Sequence, residues 1–292
     1  MSLSQRLYFV RGVMRAVRRG DMFPASGRRA AQAAPGGSTQ AAAPPPGNEV
    51  NALGISRHRF PMAGLKEEIS ILHLSDVHLH EADKDLETLV ALIGTLSPDL
   101  LVLTGDILMR GWKDAAVDLF LKSLPKARLG SYAVMGNWEY WAGAPERFWE
   151  ATLARYGIKL LYNQSVDPGP LQIVGTDDWL AGIPDVERSF RAIDPSRPVL
   201  VLTHSPKLFP QLVRPGVRLV LAGHTHGGQV RLPGLGPLFL PKGSGDYPWA
   251  WYEQEGVWLF VSRGIGWSVA PVRWRAPPEL AWITLLPDPS GL

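Results

Sequence analysis

Short apolar runs recur from position 69 onward, and most of them stop abruptly at a polar residue. "EISILHLS" reads as a strand, and residues 83–96 read as the helix that follows it. "DLLVLTGD" with 114–124 repeats that pairing, and "SYAVMGN" with 145–156 makes a third. Further strands are read in "LQIVGT", "RPVLVLTH", "VRLVLAGH", "VWLFVSRG" and "ELAWITLL". Strands apolar along their whole length belong in sheets covered on both faces, because every side chain then needs an apolar neighbour. The alternation with helices predicts an α/β or α+β layered domain.

The first 54 residues follow a different pattern. Leu3, Leu7, Val10, Met14 and Val17 fall on one helical stripe, with Arg6, Arg11, Arg15 and Arg18 mostly off it. That predicts a basic amphipathic helix over residues 3–19, able to lie on an anionic membrane surface. Residues 27–48 are rich in Ala, Pro and Gly and are expected to be a flexible linker. The folded domain is therefore expected over 55–292, after an arm and linker at 1–54.

Charge sharpens this division. Residues 1–48 hold seven arginines and one acid, Asp21, so the remainder is mildly acidic. A basic arm on an acidic body argues against a nucleic-acid cleft in the body. No apolar run approaches the roughly 18 residues of a membrane-spanning helix. Arg18-Arg19 and Arg28-Arg29 are twin arginines, but polar, Gly- and Ala-rich sequence follows each, which disfavours an export signal. The expected location is the cytoplasm, with residues 3–19 holding the chain peripherally on the inner membrane.

The ends of the apolar runs carry the candidate chemistry. Asp76 and His78 end one, and Asp106, Asn137 and His204 end three more. His224 and His226 end a fifth. Ligands of open α/β sheets bind beyond the carboxyl ends of the strands. Cysteine is absent, so a metal would sit on imidazole, carboxylate or amide oxygen, a donor set for manganese, iron, zinc or magnesium. Asp76 and His78 are two apart, so an extended backbone would point both side chains the same way, and His224 and His226 share that spacing.

The ordered series DVH, GD, GN, H and GHTH resembles the calcineurin-like metallophosphoesterase family over roughly residues 69–286. "LAGHTHGGQVRLPGLGPLFLP", "VSRGIG" and "PPELAWITL" resemble a bacterial branch that includes exported phosphodiesterases and UDP-2,3-diacylglucosamine pyrophosphatases. The resemblance implies a four-layer α/β/β/α sandwich of the metallo-dependent phosphatase type, with a dinuclear metal centre between its sheets. It implies that Asp76, His78 and His226 bind one ion, that Asn137, His204 and His224 bind the other, and that Asp106 bridges them. Manganese is the expected ion. The implied activity is cleavage of a phosphodiester or pyrophosphate bond by metal-activated hydroxide. A nucleotide-linked lipid is the substrate that best suits the basic arm.

Trp138 departs from the pattern, since the family usually places His after the Gly-Asn pair, where it contacts the phosphate or helps protonate the leaving group. Indole donates a hydrogen bond but cannot transfer a proton. Three readings compete. Another residue supplies the proton, with His80 and Glu139 as candidates by their nearness to ligands. The substrate has a good enough leaving group to need none. Or the chain is a metal-binding regulatory or scaffold protein with weak catalysis. Trp138 and Arg263 are candidate substrate contacts.

Overall fold

Each apolar run lies in one of two sheets, and each sheet is shielded on its outer side by helices or loops. The structure is a computed structural model and describes residues 22–24, 32–39, 49–268 and 270–288. The helix expected over 3–19 lies outside these residues.

In chain order the main strands begin with β1 (Gly54–Ala63), β2 (Ile69–Leu74), β3 (Leu100–Leu103), β4 (Ser131–Ala133), β5 (Ile158–Leu160) and β6 (Gln164–Val166). They continue with β7 (Gln172–Gly175), β8 (Val199–Leu202), β9 (Val217–Ala222), β10 (Ala250–Gln254), β11 (Val257–Val261) and β12 (Glu279–Asp288). The helices used below are α1 (Lys84–Ile93), α2 (Asp114–Ser123), α3 (Asn137–Trp141) and α4 (Glu146–Ala154).

The first sheet runs in the order Ser38–Thr39, β1, β12, β2, β3, β4, β5. The second runs β10, β11, β9, β8, β7, β6. The central strands β2 to β5 pair in parallel, as do β7, β8, β9 and β11. β12 pairs in parallel with β1 and antiparallel with β2, setting Ile283 opposite both His58 and Ile71.

The period-two alternation of strands divides the core into three bodies. Ile69 and Ile71 of β2 meet Ile173, Leu200 and Leu219 of the second sheet, with Val102, Ile283 and Phe260, in the space between the sheets. Leu72 and Leu74, one position out of phase, face Leu89 and Ile93 of α1 and Phe120 of α2. On the far side, Val199, Val201 and Val220 pack with Phe209 and Leu212. Three packed bodies require four layers, so the expected α/β/β/α sandwich is present. Full burial of each such aliphatic side chain stabilises by about 1.5–3 kcal/mol.

Local signals set the helix limits. The Asp83 side chain caps α1 by accepting from the Leu86 amide at 2.9 Å, and Leu86, Leu89 and Ile93 form the buried stripe. Two features differ from expectation. β1 was not foreseen, although its exposed residues Arg57 and Arg59 alternate with buried His58 and Phe60 in the pattern of a half-buried strand. The expected linker 27–48 is docked in part. Gln32 bridges to Trp251, Ser38–Thr39 pairs with β1, and Ala34 is buried. Backbone groups in that stretch gain sheet partners that its composition does not announce.

Candidate metal centre

The two sheets place their parallel strand ends at one edge, and the predicted ligands all gather there. Asp76 follows β2, Asp106 follows β3, and Asn137 opens α3 after β4. His204 follows β8, while His224 and His226 follow β9. Asp76, His78, Asp106, His224 and His226 all hold positive φ, between 51° and 72°. Such backbone costs on the order of 1–3 kcal/mol per residue and persists only where the surroundings over-determine it. This corrects the expectation of extended backbone at both His/Asp pairs. Asp76 and His78 still fall in one group, whereas His224 and His226 fall in different groups, as the family resemblance implied.

The outcome is two buried groups. Asp76, His78 and His226 bring one ligand atom each within 4.8 Å of the others, and so do Asp106, His204 and His224. Within the first, the Nε2 atoms of His78 and His226 stand 3.0 Å apart. Within the second, His224 Nδ1 lies 3.1 Å from His204 Nε2. Asp106 Oδ2 is 3.1 Å from His204 Nε2 and 3.9 Å from His78 Nε2, so this carboxylate stands between the groups.

The donor set fits cations. Asn137 is 1% exposed, yet its Oδ1 has no hydrogen-bond partner among the described residues. Leaving such an oxygen unpaired in the interior costs about 1–3 kcal/mol, which a divalent ion would remove. The other ring nitrogens are fixed by carbonyls. His204 Nδ1 donates to Thr104 O at 2.7 Å, and His224 Nε2 donates to Lys242 O at 2.8 Å. Each ring thereby turns its lone pair toward the neighbouring ligands. Burial, with nearby positive groups, holds His78 and His226 well below the usual histidine pKa and brings His224 to about 4. These three enter as neutral bases. Burial pulls His204 down too, but the carboxylates of Asp106, Asp76 and Asp178 outweigh it and carry its pKa well above the usual value.

The glycines of the motifs have a steric reason. A Cβ on Gly136 would strike the Asp106 carboxylate, and one on Gly223 would strike Ser75 Oγ and Asp76 Oδ2. Ser75 Oγ donates to Asp76 Oδ2 at 2.6 Å, and the His224 amide donates to both oxygens of that carboxylate. The ligand loops pack too closely for side chains at those two positions.

Neither predicted proton donor is placed for that task. The His80 side chain is 56% exposed and lies 4.0 Å from Glu81 Oε1, turned toward solvent. Glu139 is fully buried. Its Oε1 accepts from the amides of Ile107 and Leu108, and its Oε2 from those of Asp106 and Gly136, at 2.7–3.0 Å. Both oxygens are engaged, so Glu139 ties the Asp106 loop to the start of α3. Arg263 is likewise drawn away from substrate, because it is buried and its Nη2 donates to Glu279 Oε2 at 2.7 Å.

Trp138 does reach the site. It is half-buried, its ring meets that of His78 edge-on with centroids 5.4 Å apart, and its amide donates to Asp106 Oδ1 at 2.8 Å. Arg273 was not foreseen. It is fully buried, with Nη2 3.1 Å from His226 Nδ1 and Nη1 donating to Ala276 O. No local signal in "APVRWRAP" separates it from Arg275, which is exposed. His58 and His73 lie inside the body, where His73 Nε2 is 2.7 Å from Thr104 Oγ1.

Known proteins are similar to this chain in sequence. The family model described as calcineurin-like phosphoesterase matches residues 69–228. The uncharacterized metallophosphoesterase YkuE of Bacillus subtilis is 30% identical over 225 residues, covering 74% of this chain and 78% of YkuE. The uncharacterized metallophosphoesterase Cj0846 of Campylobacter jejuni is 30% identical over 230 residues, and the match spans 76% of this chain but 60% of that protein. The UDP-2,3-diacylglucosamine pyrophosphatase LpxG of Chlamydia muridarum is 27% identical over 286 residues, 76% of this chain and 84% of LpxG.

Proposed function

The chain belongs to the calcineurin-like phosphoesterase family, and from that premise we propose that it cleaves a phosphodiester or pyrophosphate bond with two divalent ions. The observation that carries the reading is the pair of buried three-ligand groups with Asp106 between them and an unpaired Asn137 oxygen beside them. Asp76, His78 and His226 would hold one ion, and Asn137, His204 and His224 the other, with Asp106 shared. When bound, two such ions clamp a phosphate and lower the pKa of a water. Manganese is the ion we propose.

The protein's own contribution is positioning. Glu139, Ser75 and the Thr104 and Lys242 carbonyls hold the ligands in place before substrate arrives, so little reorganisation accompanies the reaction. By the family resemblance, Trp138 stands where a histidine usually helps protonate the leaving group. Its indole N–H can orient a phosphate oxygen but cannot protonate a leaving group. General acid help is typically worth about 10²–10⁴ in rate, and its loss harms poor leaving groups most. With His80 at the surface and Glu139 enclosed, the reading favours a leaving group that departs as a stable anion, as a nucleotide does from a pyrophosphate. Similarity to LpxG supports a nucleotide-linked lipid as the substrate class.

The test is hydrolysis of bis(p-nitrophenyl) phosphate and of a nucleotide pyrophosphate by the purified chain. Manganese should support turnover of both, and a chelator should abolish it. Two bound ions with no turnover of either substrate would instead support the metal-binding regulatory or scaffold reading, which the indole at 138 favours.

A further inference from the structure

Residues 229–242 build a small platform directly after the His226 turn. Val230 bridges to Trp274 on one side, while Arg231 and Leu232 pair with Pro237 and Gly236 on the other. Phe239–Pro241 then takes Met22–Pro24 as its antiparallel partner. Both ends of the platform are fastened to the metal centre. Gln229 closes the His226 turn, and Lys242 O accepts from His224 Nε2.

The outer side of the platform combines apolar, aromatic and cationic groups. Leu235, at the tip of its turn, is 75% exposed, and Leu238 is 36% exposed. The Arg231 guanidinium lies 3.8 Å from the centroid of the Trp249 ring with its Nη1 buried, so it supports the platform and does not present its charge to solvent. Arg275 is exposed beside Trp274, whose carbonyl accepts from the Arg231 amide. Exposed leucines are unfavourable in water, whereas leucine, indole and guanidinium side by side suit the boundary between acyl chains and phosphate headgroups.

A second observation concerns the chain that leads into this platform. Met22, which pairs with Pro241, follows residues 1–21 in the chain. Those residues hold Arg6, Arg11, Arg15, Arg18 and Arg19 against the single acid Asp21. That excess of positive charge, like exposed Arg275, complements an anionic surface. Each basic residue near such a surface adds to the attraction within a Debye length.

We propose that this platform is the docking face for an anionic lipid bilayer, with Leu235 and Leu238 entering the acyl boundary and Arg275 meeting lipid phosphates. Docking there would hold the metal centre against the membrane surface, next to substrate that is itself lipid-borne. The proposal is independent of which phosphate bond is cleaved.

Flotation of the full chain with vesicles tests it, using phosphatidylcholine alone and equal parts phosphatidylcholine and phosphatidylglycerol. The full chain should float with the mixed vesicles and not with phosphatidylcholine alone. Leu235→Ser combined with Leu238→Ser should weaken partitioning by about tenfold, and Arg275→Glu by several-fold at low salt. Both variants should keep their metal content and their turnover of soluble phosphodiester, since neither touches the metal centre. Absence of binding by the full chain would overturn the proposal. So would a leucine variant that binds like the wild type while a chain lacking residues 1–21 does not, because the segment alone would then be the anchor. A leucine variant that changes oligomeric state but not vesicle binding would assign the face to a second copy and also overturn it. An inactive chain that still binds vesicles would refute the catalytic reading and leave this one standing.

Discussion

Glu139→Gln separates two roles for the carboxylate beneath the metal centre. In the wild type, Oε1 accepts two backbone amides and Oε2 accepts two more, all buried. Glutamine is nearly isosteric but keeps only one accepting oxygen. Its NH₂ group would face two amide donors that have no other acceptor. An orphaned buried donor costs about 1–3 kcal/mol, so two orphans cost about 2–6 kcal/mol. The loss falls on the loop of Asp106 and the start of α3 at Asn137, so the second ion should bind about 10–100-fold more weakly. Denaturant titration of the chelated protein and metal analysis after dialysis would measure both effects. A variant with wild-type stability and full metal content, but with lost turnover and a missing alkaline limb in its pH profile, would refute the positioning role. It would reinstate Glu139 as the proton donor.

Three further outcomes are expected. Trp138→His should raise turnover of alkyl diesters, whose leaving groups are poor, by about 10²-fold while leaving pyrophosphate turnover nearly unchanged; an equal change in both would show that proton delivery is not what position 138 controls. Asp106→Asn should lose most activity and weaken binding of both ions, because its Oδ2 lies between the two groups, and near-normal turnover with full metal content would contradict the bridging role. Burial brings His58 to about 4 and His73 to about 3, so below a pH of about 6.5 the unfolded chain takes up protons that the folded chain refuses. Each histidine should then remove about 1.4 kcal/mol of stability per pH unit as pH falls from about 6.5 toward 4. His73→Asn in chelated protein should flatten that slope by one histidine's share, read from urea midpoints at several pH values; an unchanged slope would refute the assignment.

The residues that gather at the candidate metal centre were legible because each ends an apolar run. A strand apolar on both faces must be interior, and a carboxylate, imidazole or amide at its carboxyl end must then meet other strand ends at one edge of the sheet. That argument needs only the hydrophobic pattern and the residue type, and it holds for Asp76, Asp106, Asn137, His204 and His224. The layer order followed from the same pattern. β1 was missed because its polar positions, Arg57 and Arg59, mask its period-two alternation, and the docked stretch at 32–39 because Ala, Pro and Gly composition describes chain flexibility rather than available partners.

What sequence alone determined, then, is which residues would crowd together and what chemistry they would carry. Tertiary structure alone decided how the neighbours of those ligands are used. Glu139 meets amides about thirty positions away, and Arg273 meets a histidine 47 positions away. His224 and His226 fall into different groups, which spacing of two along the chain does not reveal although the family resemblance implied it. A carboxylate beside a ligand in sequence can face the substrate or lie behind the ligand loop. The choice depends on the path of loops that are distant in the chain, and it is made by unpaired backbone amides that only folding brings together.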